Sequence, residues 1–166
     1  MEILTQIFTG TNLALLGAAL AVALPCIGSA RGVSIVGEAS SGLLTEDPSK
    51  FGKALALQAL PMTQGVYGLV AAFLILFQIG LFGSFTELSL LQGTYFLLAA
   101  IPYAFVGLFS AVRQGRVAAS GINLIAKRAD QLGKAITSAA LVETYAIFAL
   151  LITLLMVFMC PFTLGA

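Results

Sequence analysis

Histidine and tryptophan are absent from this 166-residue chain, and charge is scarce, with Asp, Glu, Lys and Arg making up 9% of the residues. Without histidine, imidazole acid–base catalysis and histidine metal ligation are excluded. A water-soluble domain carries about a quarter charged residues, so the scarcity of charge argues against one. The chain has two cysteines, Cys26 and Cys160, both in apolar stretches. They read as small core residues rather than as a disulfide or a metal site. No G-x-x-x-x-G-K-[ST] loop occurs to cradle a phosphate, so ATP hydrolysis is not expected of this chain. The net charge of +1 carries little information by itself, and no nucleic-acid partner is expected.

What the chain has in abundance is apolar length. Hydrophobic residues make up 60% of it, and the mean hydropathy is +1.05. Four stretches, 12–37, 54–83, 94–122 and 135–160, each exceed the roughly 20 residues that a helix needs to cross the hydrocarbon layer. The expected fold is an all-α membrane protein with four transmembrane helices, in contact with lipid. The leading MEILTQIFTG carries Glu2 and no basic residue, unlike the n-region of a signal peptide. All eight basic residues stand beside two of the connections: Arg31, Lys50 and Lys53 at the first, and Arg113, Arg116, Lys127, Arg128 and Lys134 at the third. The positive-inside rule puts those two connections in the cytoplasm and both termini outside, for a multi-pass protein of the cell membrane.

The sequence also repeats itself at a shift of 81 residues. Ala18-Ala19 falls on Ala99-Ala100, Ser29-Ala30 on Ser110-Ala111, and the GKA of 52–54 on the GKA of 133–135. Two tandem hairpins, 1–83 and 84–166, follow from this. They share one orientation, which weighs against the inverted repeats frequent in alternating-access transporters. In this register Glu143 of the second hairpin aligns with Met62 of the first, so there is one mid-segment carboxylate per pair of hairpins.

Glu143 lies in the apolar run AALVETYAIF, nine residues beyond Lys134, which places it about 13 Å into its helix. An ionisable group at that depth is a functional candidate, and it needs a proton, a cation or another subunit's base to neutralise it. The first hairpin carries a neutral polar cluster next to the vacant position, in LPMTQGVYG. Thr63, Gln64 and Tyr67 fall on one side of a helix there. Pro61 precedes them and deprives the Leu57 carbonyl of its partner, loosening the local helix. The third segment adds Gln114, within RQGRVAASG. One carboxylate, two amide oxygens, a hydroxyl and nearby main-chain carbonyls suit a hard monovalent cation, most simply Na⁺. A proton site would need the carboxyl alone. Small residues, among them Ala14, Gly17, Ala18, Ala21, Gly28 and Gly32, line the first segment at spacings that let helices approach closely. They suit a crowded inner layer, with the bulkier second and fourth segments outside.

GEASSG after the first helix, LPMTQGVYG on the second, RQGRVAASG on the third and VETYAI on the fourth together resemble the proteolipid, or rotor-ring, subunits of V-type ATPases, in particular the sodium-transporting bacterial members. The resemblance covers nearly the whole chain. It implies a homo-oligomeric ring that turns as ATP is hydrolysed on other subunits, and a Na⁺ site made of Leu60, Thr63, Gln64, Gln114 and Glu143, with Tyr67 bonded to the glutamate. As partners it implies identical subunits, a stator subunit bearing an essential arginine, and a central-stalk subunit on the cytoplasmic side. The same ring carrying H⁺ is the first alternative. A small proton-coupled exchanger is a more remote one, disfavoured by the polar oxygens around the carboxylate and the lack of tryptophan.

Overall fold

The computed structural model of the protein describes residues 8–83 and 87–162, and every regular element among them is helical. The chain opens with α1 (Gly10–Glu46), a 3-10 turn at Pro48–Lys50, and α2 (Phe51–Ala59). A second 3-10 turn, Leu60–Met62, joins α2 to α3 (Thr63–Gln78). The second half holds α4 (Leu90–Lys127), a 3-10 turn at Ala129–Gln131, and α5 (Leu132–Phe158). Four spans are long and apolar enough to cross a membrane: Gly10–Glu46, Pro48–Gln78, Leu90–Lys127 and Ala129–Phe158. Helix starts follow the local chemistry. The Thr9 side chain accepts the Asn12 N–H, and Ser89 and Gln92 form a reciprocal capping box.

Helices run further than hydropathy alone indicates. At 37 residues α1 is about 55 Å long, well beyond a hydrocarbon layer of about 30 Å. GEASSG, expected after the first helix, therefore lies inside it. Its hydroxyls find partners within the helix by donating back one turn: Ser40 to the Val36 carbonyl and Ser41 to that of Gly37. The first connection shrinks to the turn around Asp47. There the carboxylate accepts the N–H and hydroxyl of Ser49, and the Ser49 bond is the main reason its acidity is raised above that of an ordinary aspartate. Of the connection expected at 84–93, residues 84–86 lie outside the described residues, as do 1–7 and 163–166.

The packed centre is α1 against α4, with α3 and α5 laid along its flanks. Small residues permit this. A Cβ on Gly115 would stand 2.5 Å from the Gly32 Cα, and one on Gly32 would stand 2.5 Å from the Ala111 carbonyl oxygen. The two backbones are thus in direct contact, and the small residues expected to line the first segment are the ones buried. Large side chains on the flanking helices, such as Phe73, Phe77, Leu151 and Phe158, point outward.

The cysteines depart from expectation. Cys26 is exposed on α1, and Cys160 lies past the end of α5, half-buried; both are free thiols. A thiol is apolar enough to sit on a hydrophobic surface at little cost, so burial was not required of either.

Candidate ion-binding site

Pro61 has the local effect expected of it. Around it the α-helical pattern gives way to the 3-10 turn Leu60–Met62, and α3 begins afresh at Thr63. A new helix start inside a membrane needs partners for its first N–H groups. The Ser29 hydroxyl of α1 accepts the Gly65 N–H at 2.8 Å, and the Tyr103 hydroxyl of α4 donates to the Gln64 carbonyl at 2.6 Å. The break is thereby held from both sides. The same device recurs in the second hairpin, where Thr153 of α5 accepts the Tyr103 N–H, one residue after Pro102 (3.3 Å).

On this fixed point the polar side chains form one chain. The Thr63 hydroxyl donates to the Leu60 carbonyl at 2.9 Å and approaches Gln64 Oε1 at 3.4 Å. Gln64 Nε2 donates to Gln114 Oε1 at 2.6 Å, and Gln114 Nε2 donates to Glu143 Oε2 at 3.3 Å. Tyr67, one turn along α3 from Thr63, lies beside Glu143. Leu60, Thr63, Gln64, Gln114, Glu143 and Tyr67 are therefore all brought together, across α3, α4, α5 and the turn at Pro61.

Both glutamines are fully buried, while Thr63, Tyr67 and Glu143 are half-buried in the single chain. Among the described residues no buried side-chain nitrogen or oxygen lacks a partner, so the network is closed. Among the same residues Glu143 makes no ion pair; the ion pairs are Lys50–Asp47 and Arg128–Asp130, in the turns outside the apolar spans. Among the described residues no base pairs with the carboxylate. Its environment supplies hydrogen-bond donors and neutral oxygens: two side-chain amides, two hydroxyls and the Leu60 main-chain carbonyl in the turn at Pro61. That donor set suits one hard cation with a single formal charge to balance. Groups of three or more Asp, Glu, Cys or His that would hold a multivalent ion are absent among the described residues.

Sequence reasoning left out Ser29, Tyr103 and Thr153, which hold the backbone on which the site stands. Ser29 had a signal, since it coincides with Ser110 in the internal repeat. Tyr103 and Thr153 had none, because a helix–helix bond from a hydroxyl to a main-chain group has no spacing rule.

The ATP synthase C-subunit family matches the chain twice, at residues 16–75 and 97–156, in the same register as the internal repeat. The chain is 49% identical over 148 residues to the V-type sodium ATPase subunit K of Enterococcus hirae, covering 89% of this chain and 92% of that one. It is 39% identical over 140 residues to the A-type ATP synthase subunit K of Methanocaldococcus jannaschii, covering 84% of this chain and 59% of that one.

Proposed function

This chain belongs to the ATP synthase C-subunit family, and from that membership we propose that it is the ion-carrying rotor-ring subunit of a sodium-translocating V-type ATPase. The observation that carries the reading is the unbroken polar chain from Thr63 through Gln64 and Gln114 to Glu143, which brings oxygens from both hairpins to one mid-membrane carboxylate. Sodium transport in the name of the Enterococcus hirae relative supports the same ion.

Charge accounting gives the mechanism. With Na⁺ held by Leu60, Thr63, Gln64, Gln114 and Glu143, the carboxylate is locally neutral and passes through lipid as the ring turns. At the stator an arginine competes for the carboxylate, and the ion leaves. Moving one charge against 100 mV costs about 2.3 kcal/mol, so pumping draws on ATP hydrolysed by other subunits. The basic residues at the first and third connections support a cytoplasmic position for those ends, beside a central-stalk subunit, with the termini outside.

Reaction with a hydrophobic carbodiimide at near-neutral pH tests the ion. The expected result is that added NaCl, unlike KCl, slows modification of Glu143 in a saturable way. Equal modification with and without sodium would assign the site to protons.

A further inference from the structure

Two lysines tie the first hairpin to the second. Lys50 Nζ donates to the Ala126 carbonyl at 2.9 Å, and Lys53 Nζ donates to the Ala129 carbonyl at 3.1 Å. Both carbonyls belong to the end of α4 or the turn after it, where backbone oxygens lack helical partners and carry the negative end of the helix dipole. The contact is directional: the start of one hairpin's second span reaches the end of the next hairpin's first span.

The 81-residue repeat places Lys134 where Lys53 stands and Pro48 where Ala129 stands. Among the described residues no hairpin follows the second for Lys134 to reach. Lys134 is accordingly exposed, whereas Lys53 is half-buried. The position it seeks follows the end of α1, beside Glu46 and Asp47, the latter ion-paired with Lys50, while Lys134 itself stands near a turn in which Lys127 and Arg128 outweigh Asp130. The charges are complementary. The same incompleteness recurs in the membrane. Gln64 is fully buried, but its counterpart Tyr145 is 67% exposed. A groove of about 300 Å³ opens beside Met62, the counterpart of Glu143.

We propose that a second copy of this chain completes the pattern, with Lys134 of one copy donating to the carbonyl at Pro48 of the next, as Lys53 does to Ala129 within a copy. The inference rests on the ring reading above and adds to it the residue pair that fastens neighbours at the cytoplasmic rim. By the same operation the Tyr145 ring of one copy fills the groove beside Met62 of the next. The order of hairpins is then head to tail, and every copy offers one lysine and receives one.

Crosslinking of the full chain in membranes tests this, in a background with Cys26→Ser and Cys160→Ser. Lys134→Cys with Pro48→Cys, treated with a short bifunctional thiol reagent, is expected to give covalent dimers and higher multiples on a denaturing gel. Lys53→Cys with Ala129→Cys calibrates the reagent and is expected to link within one chain, leaving the band monomeric. Closed oligomers in which the 53/129 pair links and the 134/48 pair does not would overturn the contact and leave the ring reading standing. Absence of any closed oligomer from the unmodified protein would overturn the ring reading, and the contact with it. Single variants give a second measure: Lys134→Met is expected to make the oligomer dissociate at lower detergent concentration, with Lys134→Arg restoring it. Unchanged dissociation of Lys134→Met would likewise overturn the contact.

Discussion

Gln114 is the residue on which the site turns, because it accepts from Gln64 with its oxygen and donates to Glu143 with its nitrogen. It is fully buried and comes from α4, while its two partners come from α3 and α5. Removing it disconnects the first hairpin's oxygens from the second hairpin's carboxylate. A hydrogen bond to a charged group contributes about 1.5–3 kcal/mol, so Gln114→Ala is expected to weaken sodium binding roughly 10- to 100-fold. Assembly should survive, since neither backbone contact between α1 and α4 nor the Pro61 turn depends on this side chain. Equilibrium binding of radioactive sodium to the purified oligomer reads the first effect, and mass measurement in detergent reads the second. Unchanged sodium affinity would take Gln114 out of the site. Much of this residue-scale picture was legible beforehand, because a lone carboxylate in hydrocarbon is costly and draws attention to whatever oxygens surround it. Tyr103 was not legible, since a buried tyrosine in an apolar helix looks like ordinary core until its hydroxyl is seen donating to the Gln64 carbonyl.

At the scale of the element, the glycines of α1 and α4 decide the geometry. Gly115 and Gly32 bring the two backbones together where the site begins, one residue from Gln114. Gly115→Val would put a branched side chain where the Gly32 Cα already stands at 2.5 Å from an added Cβ, and only a separation of the helices relieves that. Overpacking of this kind costs about 1–3 kcal/mol, and here it also draws Gln114 away from Glu143. The expectation is a lowered thermal midpoint together with weakened sodium binding. Gly42→Ala is the control, for nothing lies within 4 Å of a Cβ there. It should hold or raise the midpoint, because alanine favours the helix by about 0.5–1 kcal/mol. Thermal unfolding in detergent, with and without sodium, separates the two variants. Equal midpoints would mean that the close approach is not what positions the site. Element boundaries were less legible than element number. Hydropathy marks where an apolar run ends, whereas α1 continues through the polar residues Ser40, Ser41 and Thr45, whose hydroxyls donate back one turn, and no apolar period reports that continuation.

For the whole molecule, the repeat and the glycines together predict how copies would be spaced in the proposed ring. Gly10, Gly17, Gly28 and Gly32 form the face of α1 that meets α4 in the same chain. Their counterparts on α4, one repeat later, are Leu91, Leu98, Phe109 and Arg113. These are exposed in the single chain, Leu91 at 64% and Phe109 at 63%, and in the proposed ring they would meet the α1 of the next copy. A face of glycines permits backbone contact, and a face of leucine, phenylalanine and arginine does not. Inside a copy the two inner helices are therefore expected to approach below the usual interaxial range of about 8–10 Å, and between copies to stand at its upper end or beyond. The ring expected from this chain has its inner helices in pairs, with narrow and wide gaps alternating, and the ion site belongs to the narrow gap. The wide gap would carry Val33 and Met62 where the narrow one carries Gln114 and Glu143, so no second ion is expected there. Electron microscopy of the isolated ring at a resolution that separates helices measures both gaps directly. Equal gaps all the way round would show that side-chain size on these faces does not govern the spacing, and the symmetry argument at the scale of the ring would fall.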